Sequence, residues 1–282
     1  MIISKQSPIS ISRRMLWFTG IICALVIVIG PVYLLLKYSV SDINSINTGG
    51  NPVPMWPYNP TLQAYVYLFS DSHFYQVLLN SVVISLFTIA LGMILGIPAS
   101  YVLGRYKLPG RKVLLLMIIS VRLFPDIASV IPVVEFFIKI GMHQTYLGVI
   151  LAHTLLALPY IIFIGAGAFE SIPDDLEGQA IILGANRFQT FFKLLFPLAM
   201  PGLAAAAIYT FLLSWDEFIF SYFLMLGKQE IYTLTLYLNG IKYAEPQNLL
   251  AAISVCLSIP VIAFSFMVQK YMVAGISAGS VK

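Results

Sequence analysis

The chain has 282 residues, of which 59% are hydrophobic and only 10% are charged. Because soluble globular domains carry about 25% charged residues, this composition excludes an ordinary soluble protein and indicates a membrane protein. The formal net charge of +4 comes from basic residues that do not form one aromatic-rich face. That distribution argues against a nucleic-acid partner and favours loops that face anionic membrane lipid.

Six apolar runs are long enough to cross a bilayer, because a spanning helix needs about 20 mostly apolar residues. We therefore predict an all-α, multi-pass membrane protein. Its predicted parts are a cytoplasmic N-terminus at residues 1–14, one transmembrane domain at residues 15–271, and a cytoplasmic C-terminal tail at residues 272–282. The predicted spans are Met15–Leu36, Tyr75–Leu103, Val113–Ile140, Tyr146–Phe169, Pro201–Leu226 and Leu249–Tyr271.

The basic leader before the first run raises the alternative of a signal peptide. The run itself exceeds the ~7–15 residue core of a signal peptide, and it lacks a convincing small-x-small cleavage site. An uncleaved first helix is therefore favoured. Cys23 and Cys256 lie in apolar runs far apart in the sequence, so we interpret both as small core residues, and a disulfide or a metal site is not expected.

The distribution of lysine and arginine predicts the orientation in the membrane. With the N-terminus inside, eleven basic residues fall in cytoplasmic segments, four fall outside, and Arg122 lies in the membrane. Positive-inside bias then places both termini and residues 171–200 in the cytoplasm. The eleven residues are Lys5, Arg13, Arg14, Arg105, Lys107, Arg111, Lys112, Arg187, Lys193, Lys270 and Lys282.

Two outer segments connect the predicted spans. Residues 38–74 are rich in Asn, Pro, Gly and Tyr, which is typical of a surface loop with aromatic residues at the membrane interface. Residues 227–247 alternate polar and apolar positions, so they contain no apolar run long enough to span. A contact surface for an external partner remains an alternative for the first segment.

Charged residues interrupt the third run. Charges at membrane depth are costly and indicate function by default, in an interior or a cavity. Arg122 and Asp126 are four residues apart on one helical face, so they can also neutralise each other. A structural pair and a transport-pathway pair therefore remain alternatives. Glu135 and two prolines, Pro125 and Pro132, follow in the same run and are compatible with a bent, cavity-lining helix.

The fourth and fifth runs contain further polar positions. His153 stands alone, and we interpret it as a hydrogen-bonded packing residue. In the fifth run, Trp215 is followed by Asp216 and Glu217. Adjacent carboxylates repel each other, so at least one should lie near water or be protonated. We predict a kink or a cavity lining at this point.

The longest polar segment between two apolar runs is Ser171–Gly202. Ser171 is predicted to cap a helix whose first turn carries acidic residues, which suit the positive end of the helix dipole. Gly184 is expected to end this helix in the left-handed conformation, and Asn186 to cap another. The pattern thus predicts a helix, a glycine turn and a second helix.

This segment resembles the cytoplasmic motif of the permeases of binding-protein-dependent ABC importers. That motif reads EAA, three residues, Gly, nine residues, then I-x-LP. Gly178 and Gln179 replace the family's Glu and first Ala, whereas Gly184 and Pro197 are kept. The other matching positions are Ala180, Leu194 and Phe196.

Further matches follow the family's order along nearly the whole chain and resemble its carbohydrate branch. An Asn-Ser pair opens the family's second helix, and Tyr, Arg and Pro-Gly close it. The matching residues here are Asn80, Ser81, Tyr101, Arg105, Pro109 and Gly110. Third-helix matches are Arg122, Pro125, Ile131, Pro132 and Gly141, and the closing signature is matched between Gln269 and Lys282.

The resemblance implies the second, smaller transmembrane subunit of a maltose-type importer, with a six-helix type I permease fold, in a bacterial-type cytoplasmic (inner) membrane. It implies a second permease subunit as heterodimer partner, two ATPase subunits that bind ATP and magnesium, an extracytoplasmic solute-binding protein, and a sugar or oligosaccharide as substrate. No cofactor is expected in this chain. Residues 171–200 would form the coupling segment.

The resemblance implies coupling to the ATPase through Asp175, Glu177, Gly178, Gln179, Ala180, Leu183, Gly184 and Ala185. The candidate translocation-pathway residues are Arg122, Asp126, Glu135, Trp215, Asp216 and Glu217.

Two other function classes remain as alternatives. A secondary transporter would use Arg122, Asp126, Asp216 and Glu217 as an ion or proton relay. An intramembrane enzyme would need a nucleophile with a base, or a metal cluster, and the scattered Cys and His residues do not offer one. The chain also lacks the Gly-rich loop ending in Gly-Lys-Ser/Thr that cradles nucleotide phosphates, so we expect ATP hydrolysis in a separate chain.

Overall fold

The computed structural model describes residues 11–46, 55–56, 59–242 and 246–279, and it describes no side chains at 11–14, 44–45 and 268–279. All of the regular structure in these residues is helical. The α-helices are α1 (Ile11–Ser39), α2 (Ile43–Ile46), α3 (Gln63–Ser70), α4 (Ser72–Arg105), α5 (Arg111–Ser120), α6 (Asp126–Lys139), α7 (Tyr146–Glu170), α8 (Asp174–Ile182), α9 (Arg187–Thr190), α10 (Phe196–Asp216), α11 (Ile219–Met225), α12 (Leu234–Ile241) and α13 (Gln247–Gly279).

Short irregular helices join some of these elements: 3-10 turns at Val121–Leu123 and Gln229–Ile231, and a π-helical turn at Phe191–Leu195. The predicted basic leader before residue 11 lies outside the described residues. The side chains of the predicted closing signature, which begins at Gln269, also lie outside them.

Five helical spans are long and apolar enough to cross a membrane, and a bent pair of helices makes a sixth candidate. The five lie at Met15–Ser39, Ser72–Arg105, Tyr146–Glu170, Arg187–Asp216 and Gln247–Met267. They confirm the predicted all-α membrane architecture. The third and fifth predicted runs differ from it in detail.

The third run is not one continuous helix. Arg111–Leu123 and Asp126–Lys139 meet at an angle of 91°. Phe124 is extended, with φ −70° and ψ 135°, and Pro125 follows it. Proline disfavours helical backbone in the residue before it and has no N–H to continue the helix, which explains the break at this position. The predicted run Val113–Ile140 is therefore broken at Pro125, and the bent pair counts as the sixth span only if both of its helices cross the membrane together.

The fifth run is also broken, and its helix begins earlier than predicted. The span starts at Arg187 and ends at Asp216, after which Glu217 is extended with φ −67° and ψ 128°. A separate short helix, α11, follows. The predicted single span Pro201–Leu226 is thus wrong in its bounds, whereas the predicted kink at residues 215–217 is confirmed.

The larger of two compact units comprises residues 71–241 and 257–282. In it, α4, α7 and α10 form the most extensive helix packing. Buried apolar side chains such as Ile84, Leu156 and Phe220 belong to one core cluster. Buried small residues, including Ser85, Ser100 and Ala157, lie on α4 and α7 and allow close approach of these helices, as is common in membranes.

Gly104 shows how tight this packing is. A Cβ atom at this position would lie 2.7 Å from the carbonyl oxygen of Ala166 and 2.7 Å from Cβ of Phe169. We expect Gly104→Ala to lower the free energy of unfolding by roughly 1–3 kcal/mol, because neither atom can move without shifting α7. Gly167→Ala is the matched control, because nothing lies within 4 Å of a Cβ there. Equal thermal stability of the two purified variants would contradict this packing.

The outer segment after α11 packs back on α4. The Asn80 amide donates hydrogen bonds to the carbonyl oxygens of Glu230 at 2.9 Å and Tyr232 at 3.0 Å, and the backbone N–H of Leu234 donates to Ser81 Oγ at 2.7 Å. Asp71 caps the start of α4 instead, so the Asn-Ser pair does not open this helix as the resemblance implied. The pair holds the outer segment.

The smaller unit comprises residues 1–70 and 242–256. Its predicted surface loop contains α2 and α3, and it is tied together by hydrogen bonds from Tyr65 to Ser39 (2.9 Å) and from the Thr61 N–H to the Val40 carbonyl (2.8 Å). Cys23 is exposed on α1, which corrects its prediction as a core residue, because the apolar surface of α1 is largely uncovered in this chain. Cys256 is buried, as predicted.

Candidate functional site

The polar segment begins with α8, and the cap predicted for it is wrong. Ser171 ends α7, and its hydroxyl donates to the carbonyl oxygen of Ala168 at 2.8 Å. α8 starts after Pro173, which makes no side-chain cap hydrogen bond. Its first turn carries Asp174, Asp175 and Glu177, whose negative charges compensate the N-terminal dipole.

α8 ends in the predicted glycine turn. Gly184 has φ +89°, and the Ala185 and Gly184 N–H groups donate to the carbonyl oxygens of Ala180 and Ile181, each at 3.0 Å. These are the two hydrogen bonds of a Schellman motif. Asn186 and Gln189 then form a reciprocal capping box at the start of α9. Helix, glycine turn and second helix are therefore confirmed.

The tip of this segment exposes large apolar side chains. Ile182, Leu183 and Phe188 are 86%, 87% and 78% exposed. A hollow of about 340 Å³ lies beside them, lined by Ala180, Leu183, Gly184, Ala185, Gln189, Thr190, Lys193 and Leu194. Apolar side chains clustered on a polar segment are typical of a protein-docking surface.

The residues predicted for coupling divide into two groups. Five of them are exposed, namely Asp175, Gly178, Gln179, Leu183 and Gly184. The other three, Glu177, Ala180 and Ala185, are partly buried. Four of them, Ala180, Leu183, Gly184 and Ala185, line the hollow. Glu177 points instead toward the membrane domain.

Arg105 at the end of α4 anchors α8. Its side chain is only 4% exposed, and it forms ion pairs with Glu177 at 3.0 Å and Asp174 at 3.2 Å. The guanidinium also donates to the carbonyl oxygen of Ile172 at 2.6 Å, and the Tyr101 hydroxyl donates to Glu177 at 3.3 Å. Sequence reasoning matched Arg105 and Tyr101 to the family but missed this role. Their partners are about 70 residues away in the chain, so no local pattern points to them.

A second site lies in the broken region of the membrane domain. A cavity of about 410 Å³, which we call the central cavity, is lined by Arg122, Asp126, Leu156, Tyr160, Tyr209, Leu212, Leu213, Asp216, Glu217, Phe218 and Ile219. It brings together four of the six predicted pathway residues. Arg122 and Asp126, on either side of the break at Pro125, belong to this lining, and so does Glu217 at the second break.

Arg122 and Asp126 form an ion pair in the central cavity, with nitrogen–oxygen distances of 2.9 and 3.5 Å. The guanidinium carbon also lies 5.7 Å from the centre of the Tyr160 ring. The predicted pairing is confirmed, but it joins the 3-10 turn to the start of α6, across the break and not within one helix. The pair therefore fixes this bend as well as neutralising its own charge.

Glu217 and His153 form a buried network below the cavity surface. His153 Nε2 lies 3.1 Å from Glu217 Oε2, and Nδ1 lies 2.8 Å from the Ser214 hydroxyl. Because an ionised carboxylate only accepts, Nε2 carries a proton in this arrangement. Glu217 also accepts from the backbone N–H groups of Phe220 at 2.6 Å and Ser221 at 2.9 Å. It thus caps α11, and the hydrogen-bonded packing predicted for His153 is confirmed.

We expect Glu217→Ala to lower the free energy of unfolding by roughly 2–4 kcal/mol. It leaves buried His153 and the α11 N–H groups without their acceptor. Tyr222→Phe on α11 is the control, because its hydroxyl makes no hydrogen bond among the described residues. Thermal unfolding of the purified proteins measures the difference, and equal midpoints would contradict the network.

The remaining two pathway candidates do not line the central cavity. Trp215 is buried, and its indole N–H donates to the carbonyl oxygen of Leu257 at 2.9 Å. Its ring stacks on Phe211, with ring centres 5.4 Å apart. Glu135 is exposed on α6 and lies outside the cavity lining. Within the described chain, no group of three or more His, Cys, Asp or Glu residues could hold a metal ion.

Comparisons with known proteins agree with this architecture. Residues 92–278 match the family model described as binding-protein-dependent transport system inner membrane component. The chain is 31% identical to the trehalose transport system permease protein SugB of Mycobacterium tuberculosis, over 89% of this chain and 92% of that protein. It is 33% identical to the sulfoquinovosyl glycerol transport system permease protein SmoH of Agrobacterium fabrum, over 82% of this chain and 81% of that protein.

A solved structure shares the fold. A chain of a bacterial ABC transporter involved in the import of the acidic polysaccharide alginate matches with a TM-score of 0.75, over 93% of this chain and 98% of that chain, at 23% identity. The family match covers more than half of the sequence. The relatives in this family are permease subunits in the inner membrane. This rules against the secondary-transporter and intramembrane-enzyme alternatives. The chain belongs to the family of binding-protein-dependent transport system inner membrane components.

Proposed function

We propose that this permease is one of two transmembrane subunits of an ATP-driven importer and that α8 docks on a separate ATPase subunit. The observation that carries the proposal is the form of α8 and its glycine turn. Its apolar tip is uncovered, while its other side is tied to α4 by a buried arginine. Such a segment can be displaced by a partner at its exposed tip and can transmit that displacement to α4 through the ion pair.

The proposed transmission runs from α8 into the helices that line the central cavity. Arg105 and Glu177 join α8 to α4. Tyr101 on α4 contacts Phe169 on α7 and Phe191 before α10, with ring centres 5.6 and 4.9 Å apart. Packed contacts of this kind carry rigid-body motion between two discrete arrangements. Closure of two ATPase subunits would then switch the cavity between inward-facing and outward-facing states.

The proposed orientation places both termini and α8 in the cytoplasm, because the basic residues concentrate on that side. ATP and magnesium would bind in the ATPase subunits, and this chain would supply no cofactor site. The second permease subunit would complete the pathway as a heterodimer. A solute-binding protein would dock on the opposite side, where residues 227–247 are one candidate contact.

The proposed substrate is a sugar or oligosaccharide. Two relatives are named as permease proteins of transport systems for trehalose and for sulfoquinovosyl glycerol, and these names support a carbohydrate substrate. Both solutes are polyhydroxylated, although their charges differ.

Purification of the intact complex through a tag on this chain tests the proposal. We expect a second permease and an ATPase to co-purify, and reconstituted vesicles to take up sugar only when ATP and the binding protein are present. Uptake driven by an ion gradient, with no ATPase in the complex, would contradict the proposed function.

A further inference from the structure

We propose that this chain itself contacts the transported solute in the central cavity and that the cavity accepts polyhydroxylated solutes without negative charge, with Asp216 as the principal hydrogen-bond acceptor. The inference rests on the proposed function and deepens it, since it names the substrate class and one residue that selects it.

The first step is the state of the charged groups that line the cavity. Arg122 and Asp126 neutralise each other at 2.9 Å. Glu217 is only 8% exposed and is held by His153 and the N–H groups of α11. Asp216 is exposed, and among the described residues it has neither an ion pair nor a hydrogen bond. Of the three carboxylates, it alone has its oxygen atoms available to a solute.

The second step is the chemistry next to Asp216. An ionised carboxylate presents two acceptor oxygens, which suits two neighbouring hydroxyl groups of a sugar. Tyr160 and Tyr209 line the same cavity, with ring centres 4.7 Å apart, and Tyr209 is 38% exposed. Their rings offer apolar surface for the C–H faces of a sugar, and their hydroxyl groups offer further hydrogen bonds. The volume of about 410 Å³ lies within the range of about 300–1,000 Å³ that is typical of small-molecule sites.

The third step is the net charge of the lining. One arginine faces three carboxylates, so the lining carries an excess of two negative charges when His153 is neutral and of one when it is protonated. In a partly desolvated site, such an excess repels anions strongly. An anionic solute would therefore have to enter the cavity against electrostatic repulsion.

ATP-driven uptake by the complete complex with its binding protein, reconstituted in vesicles, tests the inference. The probes are radiolabelled trehalose and maltose, which are uncharged, and sulfoquinovosyl glycerol and alginate oligosaccharides, which are anionic. We expect uptake of at least one uncharged sugar and of neither anionic one. Asp216→Asn should raise the KM for the uncharged sugar about tenfold, because a hydrogen bond to a charged group is lost. Its unfolding midpoint should not change, since Asp216 makes neither an ion pair nor a hydrogen bond with any residue that the structure describes.

Glu135→Gln is the matched control, because Glu135 is an exposed carboxylate outside the cavity, and its KM should stay within about twofold of the wild type. Uptake of an anionic sugar by the wild type, or equal KM values for Asp216→Asn and Glu135→Gln, would overturn the inference and leave the proposed function intact. Uptake of neither uncharged sugar by the wild type would also overturn the inference, whereas uptake driven by an ion gradient, with no ATPase in the complex, would refute the proposed function as well.

Discussion

Arg105→Ala is expected to uncouple ATP hydrolysis from transport. The substitution removes both ion pairs and the hydrogen bond to the Ile172 carbonyl, so α8 loses the buried ion pairs that attach it to α4. Because the arginine is 4% exposed and Glu177 only 27%, we expect destabilisation of roughly 3 kcal/mol. The measurement is uptake per ATP hydrolysed in reconstituted vesicles, which should fall at least tenfold.

Lys107→Ala is the control for this prediction. Lys107 also pairs with Asp174, at 3.7 Å, but it is 89% exposed. Exposed ion pairs contribute at most about 1 kcal/mol, so its removal should leave coupling nearly unchanged. If the Arg105→Ala and Lys107→Ala complexes showed the same uptake per ATP hydrolysed, α8 would not transmit its motion through Arg105.

Gly184→Val is expected to abolish either assembly with the ATPase or coupled ATPase activity. Its φ of +89° is a conformation that β-branched residues avoid, at a cost of about 2 kcal/mol. To relieve the strain, the chain must open the Schellman turn and displace the exposed tip at Leu183. Co-purification of the ATPase and sugar-stimulated ATP hydrolysis measure the two outcomes.

Two further variants separate backbone strain from side-chain volume. Gly184→Asn should retain most of the coupling, because asparagine tolerates the left-handed conformation. Gly167→Val places the same bulk on an exposed helical glycine with open space around it, so it should have little effect. Normal transport by Gly184→Val, or equal losses in the valine and asparagine variants at residue 184, would refute the backbone argument.

Features that depend on local chemistry were predictable from the sequence. The membrane class follows from composition, and the turn at Gly184 and the cap at Asn186 follow from residues whose conformational preferences are strong. The Arg122–Asp126 pair was predicted from its four-residue spacing, although it crosses a helix break and does not lie within one helix. The turn, the cap and the ion pair are each decided within about four residues of chain.

Features that depend on packing between helices were missed. The contact of Arg105 with Glu177 and that of His153 with Glu217 join residues more than 60 positions apart, and one sequence offers no pattern for either. The break at Glu217 was placed correctly as a kink, but the change to a separate helix depends on its side chain capping α11. Ser171 is a good cap residue by type, yet α7 continues to Glu170 and uses Ser171 at its own end.

Photo-crosslinking from residue 183 tests the central claim most directly. Leu183 is 87% exposed at the tip beside Gly184, and a benzoylphenylalanine placed there in the intact complex should crosslink to the ATPase subunit. The same probe in place of Leu155, which is exposed in the middle of α7, should not. A crosslink from residue 183 to the solute-binding protein, or none to the ATPase in an intact complex, would contradict the account.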